Sequence, residues 1–97
     1  MREFLITRSD GNTIDLHKSK FLDVLKPMSF PSRKVAGRGE HRIEVNGCEI
    51  SFTYEDPGIL IRFEGAGLPD EEEEQIADEI ATSITKTTGK KVETTEF

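Results

Sequence analysis

The stretch Arg42-Ile43-Glu44-Val45-Asn46-Gly47-Cys48-Glu49-Ile50-Ser51-Phe52-Thr53-Tyr54-Glu55 decides the fold. Asn-Gly between two alternating runs is the strongest short-range hairpin signal, because both residues accept the positive φ of a two-residue type I′ turn. With the turn at Asn46-Gly47, Val45 pairs with Cys48, Ile43 with Ile50 and His41 with Phe52. Every apolar residue then lands on one face, and a slip of one residue would scatter them. A second turn at Glu55-Asp56-Pro57-Gly58 leads into Ile59-Leu60-Ile61-Arg62-Phe63. Pairing Tyr54 with Ile59 sets Ile61 opposite Phe52 and Phe63 opposite Ile50, so three strands form an antiparallel meander.

Outward toward the C-terminus, Pro69, the carboxylates that follow it, Lys86 and Gly89 stand where a helix would start and stop. Ile76, Ile80 and Ile84 recur every fourth residue with Ala77 and Ala81 beside them, an apolar stripe suited to one face of a sheet. Beyond Gly89, residues 91–97 are β-prone and are expected at a sheet edge.

Toward the N-terminus, Phe4–Arg8 and Thr13–His17 flank Ser9-Asp10-Gly11-Asn12 and read as a hairpin, with Leu5 facing Leu16 and Thr7 facing Ile14. Ser19 is expected to cap a short helix carrying Phe21, Leu22 and Leu25, stopped by Pro27. Residues 27–39 hold Pro27, Pro31, Gly37 and Gly39 and are expected to be a loop. The expected fold is therefore a single α+β domain spanning residues 1–97. Its mainly antiparallel sheet has the order β-β-α-β-β-β-α-β, with the long C-terminal helix packed on one face.

Composition excludes several classes. Cys48 is the only cysteine of the 97 residues, which removes any intrachain disulfide framework. Met1–Arg8 has three consecutive apolar residues between charges, unlike a secretory leader, and a cytoplasmic setting is expected. No apolar run approaches the ~20 residues that span a bilayer.

No constellation points to chemistry, so no catalytic residue, metal site or cofactor is expected. His17, His41 and Cys48 form no paired ligand motif. Gly65-Ala66-Gly67 precedes a helix but lacks the third glycine of a dinucleotide fingerprint, and the acidic residues after it would repel phosphate. Glu55-Asp56 belongs to turn chemistry.

Charge is the main functional signal. Residues 1–42 carry nine lysines and arginines against five carboxylates, net +4, whereas residues 43–97 carry four against fourteen, net −10, giving the overall −6. The acidic candidates are Asp70, Glu71, Glu72, Glu73, Glu74, Asp78 and Glu79, with Glu44 and Glu49 on the hairpin. Such a surface would steer a basic partner protein, to bind or inhibit it without catalysis. Glu44 and Glu49 face each other across the hairpin, a repulsive pair unless Arg42 or Arg62 neutralises it. The alternative reading is nucleic-acid binding through Phe30, Arg33, Lys34, Arg38 and Arg42, with Met28 nearby, although the acidic whole opposes a polyanion. A small enzyme is the third reading.

Overall fold

The structure is a computed structural model and describes residues 2–96. Strands β1 (Arg2–Arg8), β2 (Arg33–Lys34), β3 (His41–Val45), β4 (Cys48–Glu55), β5 (Gly58–Glu64) and β6 (Val92–Glu96) form one antiparallel sheet in the order β2-β3-β4-β5-β1-β6. Helices α1 (Phe21–Val24) and α2 (Asp70–Thr88) accompany it. The fold is α+β, with α2 packed against the sheet.

The meander has the register its alternation dictates. Val45 pairs with Cys48, Ile43 with Ile50, His41 with Phe52, and then Tyr54 with Ile59, Phe52 with Ile61 and Ile50 with Phe63. Asn46 and Gly47 have φ of 50° and 82°, as the turn requires. Helix α2 begins after Pro69, whose carbonyl accepts the N–H groups of Glu72 and Glu73, and it ends at Gly89, left-handed at φ 73°. Ile76, Ile80 and Ile84 are completely buried against the sheet. Each contributes about 2 kcal/mol of transfer free energy.

The expected N-terminal hairpin does not form. Both edges of β1 are taken, by β5 and by β6, and residues 13–17 carry no strand. Phe4-Leu5-Ile6 is apolar throughout, so its alternation is ambiguous. Phe4 and Ile6 face the core, while Leu5 pairs with Leu60 on the opposite face. The Asp10 carboxylate binds the Arg8 guanidinium at 2.5 and 3.0 Å and the Asn12 N–H at 3.0 Å, which turns the chain away from β1. The segment then crosses to the β4–β5 turn, where Ile14 N–H donates to Pro57 O at 3.0 Å and the Tyr54 hydroxyl donates to Leu16 O at 2.5 Å. Ile14 and Leu16 are buried nonetheless, so the alternation reported burial correctly and pairing incorrectly.

Two further expectations change. Ser19 does not cap the first helix. The His17 imidazole accepts the Ser19 N–H at 3.1 Å and starts a 3-10 turn over Lys18–Lys20, after which α1 buries Phe21 and Val24 and leaves Leu22 58% exposed. Within the span expected as loop, Arg33 pairs with Glu44 and Lys34 with Ile43 as a two-residue edge strand. The element order becomes β-α-β-β-β-β-α-β.

Candidate functional site

Strand parity separates the acidic candidates onto two surfaces. Glu44 and Glu49 project from the sheet face opposite the one that carries Ile43, Ile50 and α2, so they cannot join the helix carboxylates in one patch. Glu44 and Glu49 are directly opposed, as the register requires, but each is neutralised. Arg33 Nε lies 2.7 Å from Glu44, and Arg42 Nε lies 2.6 Å from Glu49. The Arg42 guanidinium also donates to Glu64, and Arg62 Nε meets Glu3 at 2.7 Å. The exposed sheet face is thus a lattice of internally matched charges. Arg42 holds the Glu64 carboxyl below its usual range, and Glu64 and Glu49 in turn hold the Arg42 guanidinium proton more tightly.

The helix carboxylates are not equivalent either. Arg2, at the start of β1, lies over the Phe4 ring at 5.0 Å and sends its guanidinium to Glu96 at 2.6 and 2.7 Å and to the Asp70 carbonyl at 2.9 Å. Around the same group stand the carboxylates of Asp70, Glu73 and Glu74, at 3.8, 3.7 and 3.6 Å. Glu73 is buried, and its pKa is raised because burial outweighs the opposing attraction of Arg2. Nothing in the composition marked Arg2 as the hub of this cluster, because sequence spacing does not bring the first strand to the helix start.

Glu79 has a different task. Its carboxylate accepts the Met28 and Ser29 N–H groups at 2.8 and 2.9 Å and the Gln75 amide at 2.8 Å. Burial alone would raise its pKa, but the donors of Ser29, Gln75 and Met28 prevail and lower it. Glu79 therefore pins the chain after Pro27 onto α2, and Met28 is presented to solvent at 76% exposure. Glu71, Glu72 and Asp78 remain, with no cation within ion-pair distance among the described residues. Glu71, Glu74, Gln75, Asp78 and Thr82, at helical spacing, line an open depression of about 530 Å³ with Met28 on its rim.

The basic candidates are dispersed. Arg33 and Arg42 are engaged by Glu44, Glu49 and Glu64 on the exposed sheet face, and Phe30 packs partly against the core. Lys34 and Arg38 are left without an ion-pair partner among the described residues.

The remaining chemistry-bearing groups serve the fold. The Cys48 thiol is buried and donates to Glu64 O at 3.5 Å, and burial pushes its pKa up. His41 is buried between Phe21 and Phe52. Gly67 lies against the Asn46-Gly47 turn, where any Cβ would overlap the Asn46 carbonyl, so Gly67 provides close packing, whereas Gly65 supplies a positive φ of 108°. Among the described residues, no three of His, Cys, Asp and Glu converge as a metal site, and no helix is long and apolar enough to cross a membrane. No protein family, no curated protein and no solved structure matches this chain in comparisons with known proteins.

Proposed function

We propose that this protein is a non-enzymatic interaction domain that binds, and by binding can inhibit, a basic partner protein through the outer face of α2. One observation carries the reading. Met28 is held by Glu79 in an exposed position on the rim of a depression whose charged groups are Glu71, Glu74, Asp78 and Glu79. Methionine is an adaptable apolar contact, and Glu71 and Asp78, which have no cation within ion-pair distance among the described residues, supply long-range attraction for a cationic surface. The exposed sheet face is less suited to that role, since Arg33, Arg42 and Arg62 already satisfy its acids. A cytoplasmic setting belongs to the same reading and is supported by the lone, buried Cys48.

The test is capture from native lysate on the immobilised protein, with and without nuclease, for wild type and for Glu71→Lys with Asp78→Lys. Recovery of a basic protein that survives nuclease, and that falls with charge reversal and raised salt, is the expected result. Recovery indifferent to both changes refutes the acidic face. Recovery that vanishes with nuclease would instead favour the nucleic-acid reading through Lys34 and Arg38.

A further inference from the structure

β6 forms one margin of the sheet, and the register fixes where its main-chain groups point. Ser9 N–H donates to Lys91 O at 3.0 Å, so residues 91, 93 and 95 direct their N–H and C=O groups to β1. Residues 92, 94 and 96 direct theirs away from the sheet. The Val92 N–H is covered by α2, donating to Thr85 Oγ1 at 3.3 Å. Both main-chain groups of Thr94 and the N–H of Glu96 face outward with no strand beside them among the described residues. The opposite margin, β2, has only two residues and follows Pro31, two features that protect an edge. β6 is thus the margin at which a strand can be added.

The uncovered end of β6 is also its acidic end. Asp78 accepts the Thr94 hydroxyl at 3.4 Å, and Glu74 and Glu96 stand together around Arg2. Lys86 and Lys91 stand toward the other end, where Thr85 closes the edge, and they line the far part of the groove between α2 and β6. This groove of about 600 Å³ is bordered by Asp78, Thr82 and Thr94 at one end and by Lys86 and Lys91 at the other. A strand laid along Thr94 and Glu96 would place every second side chain in this groove, because Thr94 shares a face with Phe4, Ile6 and the helix.

We infer that β6 accepts an extended basic segment of the partner protein as an added strand, with its lysines or arginines entering the groove beside Asp78. The inference rests on the partner being basic and adds how it is held, with main-chain hydrogen bonds giving affinity and Asp78, at the uncovered end of the groove, giving selectivity. A second copy of this chain suits the edge less well. Pairing centred on Thr94 would bring two chains of net charge −6 together and turn their Asp78 carboxylates toward one axis.

The experiment uses the full 15N-labelled chain and a capped peptide of about ten residues alternating Lys and Val, a length that covers one strand. Two further peptides carry N-methyl groups at alternate residues, one in each phase, with the charge unchanged. Slowed hydrogen exchange and shifted amides at Thr94 and Glu96 are expected with the parent peptide. One of the two N-methylated versions should bind about tenfold more weakly, the loss of one or two hydrogen bonds. Asp78→Asn should weaken the parent peptide several-fold. If the peptide binds, the Thr94 and Glu96 amides are unmoved and both N-methylated versions bind equally, strand addition is wrong while the acidic face stands. Absence of binding even at low salt sinks both readings. Protection of Thr94 without peptide, in a species of twice 10.9 kDa by light scattering, gives the edge to a second copy and overturns the inference.

Discussion

His41 should make the fold sensitive to mild acid. It is 5% exposed, its ring lies 5.5 Å from Phe52 and 6.0 Å from Phe21, and its Nε2 has no hydrogen-bond partner among the described residues. Burial disfavours the imidazolium and lowers the pKa below the ordinary 6.5, and the Lys34 ammonium lowers it further. Because the folded value is depressed, the unfolded chain takes up the proton first, and stability falls as pH drops through 6.5 toward the folded value. Complete exclusion of the proton from the native state costs about 1 kcal/mol between pH 6.5 and 5.5. His41→Phe keeps the aromatic packing and removes both the titration and the unpartnered nitrogen. Urea unfolding at a series of pH values should show stability falling in the wild type, by no more than this ~1 kcal/mol limit, and no such fall in the variant. At pH 7 the variant should be at least as stable, since an unpaired buried polar atom costs about 1 kcal/mol or more. Parallel pH profiles for the two proteins would refute the reasoning, because His41 would then be protonated equally in both states.

Three further outcomes are expected. Glu73→Gln should match or exceed wild-type stability at pH 7 in chemical denaturation. A carboxylate whose folded pKa is raised withdraws stability as pH climbs from 4.5 through the folded value, so the advantage should vanish in acid. Arg42→Met should destabilise by about 2 kcal/mol, leaving Glu44, Glu49 and Glu64 in a row across adjacent strands, and part of that loss should return in high salt, as thermal melts would reveal. Gly67→Ala should cost about 2 kcal/mol by forcing the Asn46-Gly47 turn away from its neighbour, and Gly47→Ala, which meets no neighbouring atom, should reveal only the strain of positive φ.

Those parts of the fold whose alternation admits one register were legible in the sequence. In the meander, the Asn-Gly turn and three successive apolar pairs agree on a single register, and Pro69, Gly89 and the isoleucines agree on a single helix. Phe4-Leu5-Ile6 offered no such check. Any of the three can face a core, and the local turn at Asp10-Gly11 suggested a neighbour for β1 that tertiary pairing with β5 and β6 replaced. Two residues of β2 cannot show a period at all, so their pairing with β3 had no sequence signal. The same limit applied to α1, where one turn of helix left Leu22 on the wrong side of the expected stripe.

Charge was legible as a total and illegible as a surface, for a physical reason. Formal charge is a property of the residue, but the field that a partner meets depends on which charges are already matched, and matching is set by strand order. Because Arg33 lies opposite Glu44, and Arg42 reaches both Glu49 and Glu64, the hairpin acids contribute little outward field despite their count. Arg2 draws Glu74 and Glu96 together and the fold buries Glu73, while Glu79 is committed to Met28 and Ser29. The α2 carboxylates with neither a cation nor a backbone N–H donor among the described residues are therefore Glu71, Glu72 and Asp78, and Asp78 stands beside the uncovered end of β6. In the proposed mode of binding, a basic partner drawn to those carboxylates would meet the unpaired main-chain groups of β6, because α2 ends at Gly89 and the chain returns beside it as β6.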